Sequence, residues 1–279
     1  AAPFFYEGGS RVRVPRADQD RAFGGVVEVL RSLNADVVLL QELDRGSART
    51  DHVDQLARLL NELPGYAAVS AAMHRNRFVP YPWPPLGRIN LHLATLSRAI
   101  PASPERIALP GLREPRLRAH FNLHRALLAA QLPLANGSTL SVGNTHLSAF
   151  SGGDATLPRQ VRLVDAWLRN AGATSLLGGD FNVLPPGDDA KRLPTDRDDH
   201  PTDRAEIDTF FAAHHSVLDP AGQLRPEAGT YLPPGASTPD RTLDWVFTGP
   251  GLRTLRAWVE PVDPIVSDHW PVVVDLALA

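Results

Sequence analysis

Thr174-Ser175-Leu176-Leu177-Gly178-Gly179-Asp180-Phe181-Asn182 decides how this chain is read, because an apolar run stops at a glycine pair and a carboxylate and a carboxamide follow at once. A short apolar run bounded by turn residues is the pattern of a buried strand, so Asp180 and Asn182 are expected where that strand ends. Two residues apart on extended backbone, their side chains project to the same side of the sheet. There the acid can meet a cation or a water, and the amide a phosphoryl oxygen. Alone, the motif fits a plain turn equally well, with Gly-Asp turning and Phe-Asn opening a loop.

Four more segments change that balance. Asp36-Val37-Val38-Leu39-Leu40-Gln41-Glu42 is a buried-strand pattern ending in two polar residues, and Ser141-Val142-Gly143-Asn144-Thr145-His146-Leu147 repeats the design with an imidazole. Thr242-Leu243-Asp244-Trp245-Val246-Phe247 and Ser267-Asp268-His269-Trp270-Pro271-Val272-Val273-Val274 add two acids and a histidine beside further apolar runs. Each has a bland explanation: Glu42 an edge-strand charge, His146 a hydrogen-bonded core histidine, Asp244 a loop residue. Charges in near-continuous apolar strands are rarely buried unless paired or bound to a cation. Five such strand ends together point to one shared polar site.

In these five motifs, taken in order, the chain resembles the endonuclease/exonuclease/phosphatase superfamily of metal-dependent phosphoesterases. The match runs from about Arg16 to the C-terminus through Gln41-Glu42, Asn144-Thr145-His146-Leu147, Gly179-Asp180-Phe181-Asn182, Leu243-Asp244-Trp245-Val246-Phe247 and Ser267-Asp268-His269. Smaller segments resemble a bacterial branch of that superfamily: Asp44-Arg45-Gly46-Ser47 with Arg49-Thr50 and Val53-Asp54-Gln55, then Leu96-Ser97-Arg98, and Gly229-Thr230-Tyr231.

The resemblance implies a four-layer α/β sandwich over 1–279, with two mixed sheets packed face to face and helices outside. It also implies roles. Glu42 and Asp268 would be metal-side carboxylates for Mg²⁺ or Mn²⁺, and Asp180 would activate or orient the attacking water. Asn182 would help position water and phosphate. His146 and His269 would donate to non-bridging oxygens, with Asp244 fixing the tautomer of His269. Oxygen ligands without thiolates suit hard cations of this kind. The expected activity is hydrolysis of a phosphate ester, a phosphodiester first, in nucleic acid, a phospholipid headgroup or a small molecule. A noncatalytic phosphate-binding member of the fold is the alternative. One departure bears on it: the family's usual first strand, carrying an Asn, has no counterpart in Ala1-Ala2-Pro3-Phe4-Phe5-Tyr6-Glu7-Gly8-Gly9. Either another segment, Ala2 to Tyr6 or one from a neighbouring molecule, fills that place, or the sheet edge beside the metal site stays open.

Composition narrows the class. With 279 residues, 43% hydrophobic and 21% charged, the chain has the make-up of one large globular domain. It contains no apolar run near the roughly 20 residues a membrane helix needs. No basic region followed by an apolar core opens the chain, so a soluble protein is expected and a cytoplasmic one favoured, while a processed chain would read the same and leaves the compartment open. The absence of cysteine excludes disulfides and thiolate metal sites. A net charge of −3 gives no global attraction for polyanions. Arg106, Arg113, Arg116, Arg118, His120, His124 and Arg125 form a local basic run, read as solvated charge on a long connection.

Periodicity places the elements. Helical spacing predicts helices over 17–33, 52–63, 158–170 and 203–213. Strands are expected over 36–42, 67–72, 91–97, 125–132, 139–146, 243–248, 252–259 and 271–278, with Asn136-Gly137 turning the 125–146 hairpin. The Pro- and aromatic-rich stretch 77–88 reads as a long loop that could wall a substrate cleft, and 187–202 as a polar loop.

Overall fold

Alternation along single strands builds the layers. A computed structural model describes residues 11–149, 155–193, 200–201 and 203–279. In β3 (Gly87–Ser97), Ile89, Leu91 and Leu93 join one apolar cluster while Ala94 and Leu96 join another. Side chains two apart share a face, so this strand is buried on both sides. It pairs antiparallel with β1 (Val37–Asp44) and β2 (Ala67–Val79) in the order β1-β3-β2.

The second sheet has six strands in the order β4-β5-β6-β7-β9-β8: β4 (Ala102–Ala108), β5 (Ala126–Pro133), β6 (Thr139–His146), β7 (Ser175–Asp180), β9 (Asp244–Thr248) and β8 (His215–Ser216). Only β6 and β7 run parallel in it. Their crossover is α4 (Thr156–Asn170), which buries Leu157, Val161, Val164 and Leu168 on one stripe. β10 (Leu252–Val259) and β11 (Val272–Leu278) form a third, antiparallel pair.

β2 and β3 face β5, β1 faces β6 and β7, and β11 faces β9, so the three-stranded and two-stranded pieces lie over the same six-stranded sheet. α1 (Arg16–Leu33) and α2 (Gln55–Glu62) cover the outer face of the first piece through Phe23, Val27, Leu56 and Leu59. α4 and α5 (Ala205–Ala213) contribute to the core of the larger sheet. The expected α/β sandwich is therefore present, its second layer divided into two antiparallel parts. The free edges of β1 and β11 have no strand partner among the described residues. Val37 to Leu40 and Val272 to Val274 are accordingly only half-buried. Ala2 to Tyr6, the segment expected at such an edge, lies outside the described residues.

Three expectations change. The long loop over 77–88 shrinks to 80–86, because β2 continues to Val79 and β3 begins at Gly87. Arg75, Arg77 and Phe78 are exposed and a register shift falls between Asn76 and Val79, so the strand carried no apolar alternation to read. β4 was not expected at all; nearly every side chain on it is exposed. The helix expected from His52 starts at Gln55, where the Asp54 carboxylate accepts from the Ala57 N–H at 3.1 Å. Asp51 and His52 before it have φ of 51° and 61°, a conformation no helix admits.

Candidate active site

Strand register does most of the assembly. β6 and β7 pair with His146 opposite Asp180, and β7 and β9 with Asp180 opposite Asp244. Three polar residues at the ends of apolar strands therefore stand side by side. The glycine before Asp180 is required: Gly179 has φ 144°, and a Cβ there would lie 1.9 Å from the Thr145 carbonyl oxygen. Beneath the site, Phe181 packs on Phe247 at a ring distance of 5.3 Å, and the buried Trp245 indole N–H donates to the Val183 carbonyl at 2.9 Å.

Asp180 and Asn182 meet differently from the expectation. They do not share a strand face; β7 stops at Asp180, and Asn182 turns back with φ 52°. Its backbone N–H donates to Asp180 Oδ1 at 2.8 Å, and its Nδ2 donates to Leu147 O at 3.0 Å and Asp180 Oδ2 at 3.2 Å. The amide donors thus hold the carboxylate and the neighbouring loop.

From Asp180 the contacts run both ways. Its Oδ2 lies 3.1 Å from His146 Nε2 and 3.9 Å from His269 Nε2. His269 Nδ1 lies 2.7 Å from Asp244 Oδ2, which also accepts from Thr230 Oγ1 at 2.6 Å. On the far side, His146 Nδ1 is 3.8 Å from Glu42 Oε1, too long for a hydrogen bond, and has no partner. Asp268 touches Ser267 Oγ at 3.5 Å and acts on His269 through its charge.

The charges are correspondingly uneven. Burial works against ionised Asp180, but His146, His269 and the Asn182 N–H outweigh it and lower its pKa to about 2. Burial likewise opposes the His269 imidazolium, and the carboxylates of Asp244, Asp180 and Asp268 overcome it, raising its pKa well above the ordinary value. Asp244 moves up, through burial first and the nearby Asp180 charge as well. Asp180 is therefore an anion at neutral pH, and the Asp244–His269 pair holds one proton.

Glu42 has a different setting. The β1–β3 register shifts between Leu40 and Leu43, and Glu42 sits in this bulge with φ 57°. A non-glycine residue held there is strained, and such strain gathers at functional positions. A polar link fixes its strand: Gln41 Nε2 donates to Asn144 Oδ1 at 2.8 Å, while Asn144 Nδ2 donates to Leu40 O at 3.1 Å and Ala94 O at 2.9 Å. The Glu42 carboxylate, 31% exposed, accepts no hydrogen bond among the described residues; it lies 3.8 Å from His146 Nδ1 and 4.0 Å from Arg49 Nη2.

No group of three or more His, Asp or Glu side chains converges as a ready-made metal cage among the described residues. Mg²⁺ does not need one, since it keeps several waters and takes one or two carboxylates. The unengaged Glu42 oxygens and the unpartnered His146 nitrogen beside them fit a hydrated cation of that kind.

Residues that the sequence placed elsewhere also belong here. Arg49 is buried and donates to the buried Asp44 at 2.7 Å. Arg125, counted in the basic run, is 5% exposed and lies in the electrostatic field of Glu42 and Asp180. Its place just before β5, whose Leu127 pairs with Thr145, is the signal that could have found it. Thr230, quoted only as part of a weak motif, anchors Asp244. The rest of the basic run is dispersed: Arg106 donates to Ala72 O and His124 O, and Arg118 pairs with Glu114. In the same stretch of chain, Leu117 and Phe121 join Tyr81 in lining a depression of about 580 Å³.

The sequence model of the Endonuclease/Exonuclease/phosphatase family matches residues 12–269. A solved endonuclease/exonuclease/phosphatase from Beutenbergia cavernae DSM 12333 is similar at 26% identity and TM-score 0.68, over 92% of this chain and 66% of that one. This chain thus spans just under two thirds of that protein. A mannosyl-6-phosphatase from Bacteroides thetaiotaomicron superposes with TM-score 0.65 at 17% identity, covering 95% of this chain and 96% of that one. D. rerio TDP2 complexed with single strand DNA product superposes with TM-score 0.62 at 17% identity, over 95% of this chain and 93% of that one. No curated protein matches the chain.

Proposed function

The chain belongs to the endonuclease/exonuclease/phosphatase family, and on that premise we propose that it is a divalent-metal-dependent phosphoesterase that hydrolyses a phosphodiester by in-line attack of water. The observation that carries this reading is the unbroken run of contacts from His146 through Asp180 and His269 to Asp244 and Thr230.

Phosphate esters resist hydrolysis because their anionic oxygens repel a nucleophile and the alkoxide leaves poorly. Asp180, ionised and held by the Asn182 amides, accepts a hydrogen bond from the attacking water and aims it. A carboxylate of such low basicity orients the water more than it deprotonates it. His269, protonated and braced by Asp244, donates from Nε2 to an oxygen on which negative charge grows. His146, whose Nε2 lies 3.1 Å from Asp180, would be the second imidazole to donate to phosphoryl oxygens. Glu42, with Asp268 as a second carboxylate, would hold Mg²⁺ or Mn²⁺. When bound, that cation supplies charge neutralisation at the phosphoryl oxygens and the leaving group.

Proteins of similar fold bear names that point to quite different esters, one a mannosyl-6-phosphatase and one complexed with a single strand DNA product, so substrate class is tested by screening. The panel is bis-nitrophenyl phosphate, nitrophenyl phosphate, single-stranded DNA, RNA and a phosphocholine lipid, with Mg²⁺, with Mn²⁺ and with chelator. Hydrolysis of a diester that chelator abolishes and either cation restores is the expected result. Equal turnover in excess chelator, or no turnover of any ester, overturns the reading.

A further inference from the structure

Buried arginines in this protein normally have carboxylate partners. Arg49 donates to Asp44 at 2.7 Å, and Arg241 to Asp240 through Nε at 2.6 Å and Nη2 at 2.9 Å. Arg125 is as buried as Arg49, at 5% exposure, yet its guanidinium has no hydrogen bond or ion pair with any described residue. Its Nη1 is wholly enclosed and unpartnered. An arginine cannot escape the cost of burial by losing its proton at neutral pH. An uncompensated buried charge is among the most destabilising features a fold can carry.

The surroundings show what kind of group would relieve it. The anions acting on Arg125 are Glu42 and Asp180, the carboxylates on either side of the reaction centre. Both act at a distance and neither approaches within 4 Å. Asp180 is already engaged by His146 and Asn182, and Glu42, fixed in its bulge, lies toward Arg49 and His146 instead. What is lacking is an anionic oxygen-rich group seated among these residues.

We propose that Arg125 is a binding site for a non-bridging oxygen of the substrate's phosphoryl group, its fork of N–H donors left unsatisfied by the protein so that the ester supplies the anion. The inference rests on the phosphoesterase reading above. Guanidinium suits this task better than ammonium, since its planar donors engage two oxygens of one phosphate in parallel. Because the ligand completes a buried pair, the contact forms with little competition from water.

Inorganic phosphate is the probe, titrated calorimetrically into the full chain with Mg²⁺ present throughout, for wild type, Arg125→Met and Arg125→Lys. Met keeps much of the volume and removes the charge; Lys keeps the charge and removes the fork. The expected result is a loss of phosphate affinity of about 10- to 100-fold for Arg125→Met, and a smaller loss for Arg125→Lys. In turnover, KM should rise and kcat/KM fall by a similar factor, while the melting temperature of Arg125→Met stays level or rises. Should the Met variant fail to fold, the Lys variant carries the test alone. No phosphate binding by wild type, or equal phosphate affinity in wild type and the folded variants, overturns the proposal. Phosphate binding through Arg125 in a chain that hydrolyses no ester removes the proposed activity and leaves this site standing. Normal turnover with phosphate affinity unmoved by either substitution does the reverse.

Discussion

The two walls of the site are built to different standards. The wall made by β6, β7 and β9 is wired before any ligand arrives: His146, Asp180, Asn182, His269, Asp244 and Thr230 are linked by contacts that run from 2.6 to 3.9 Å. The wall made by β1 holds Glu42 on a bulged edge strand, 31% exposed and without a hydrogen bond, with the unpartnered Arg125 nearby. Groups that must move or hold protons profit from fixed geometry. Groups that must receive a cation and an anion have to keep their valences open. Under the proposed function, proton handling falls to one wall and ligand capture to the other, and that division can be broken.

The largest effect should come from the wired wall. Asp180→Asn keeps the shape but loses the charge proposed to orient water, and kcat should fall by about 10³-fold, with KM little changed. Steady-state kinetics that show a KM defect instead would move Asp180 to the capture side.

Next in size are Asp244→Asn and His269→Ala. Each should lower kcat by about 10²-fold, and the double variant should be barely worse than the His269 single, since Asp244 acts through that imidazole. Rate losses that multiply in the double variant would show the two to be independent.

On the open wall, Glu42→Gln should raise the Mg²⁺ or Mn²⁺ concentration for half-maximal activity about 10- to 100-fold, with the rate at saturating metal falling less. An unchanged metal titration would mean that the cation is held elsewhere.

The smallest effect separates the two sheets by pH. His74, buried on β2, has its pKa lowered to about 4, first by burial and then by the positive charges of His124, Arg49 and Arg125. A depressed imidazole stays neutral in the fold while the unfolded chain takes up a proton below about 6.5. Its contribution is therefore intact above pH 6.5 and lost as pH falls toward 4, by about 2 kcal/mol at pH 5. Asp180, also depressed, adds stability that is present above its unfolded value of about 3.9 and disappears only below that. Urea unfolding at pH 7 and pH 5 should show a gap between the two pH values that His74→Gln narrows. If the gap is the same in the variant, His74 is not an acid-sensitive group of the first sheet, and His92 on β3, lowered to about 4 by burial first, is the next to replace.

Much of the site was legible because its residues interrupt apolar runs. A charge at the end of Val37-Val38-Leu39-Leu40 or Ser175-Leu176-Leu177 demands an explanation, and strand register then brings those ends together. β4 and the far half of β2 were not legible, because exposed strands carry no burial pattern. Asn182 was found but its geometry was not: a residue at φ 52° after a strand end is a turn, and nothing in Asp-Phe-Asn distinguishes it from extended backbone. Arg125 was hidden by its company, since a run of arginines and histidines reads as one solvated surface although a single member of it is buried.

The Gln41–Asn144 bridge leaves a mark outside this one molecule. The Asn144 side chain accepts from one residue of β1 and donates to carbonyls of both β1 and β3. Replacing either amide alone strands buried donors or acceptors of the other, a loss of roughly 1 to 3 kcal/mol, whereas exchanging both for apolar groups of matched shape is nearly neutral. Across descent, the two positions should therefore be inherited as a unit, changing together or not at all, and their covariation would record how the edge strand is kept in register over the catalytic one.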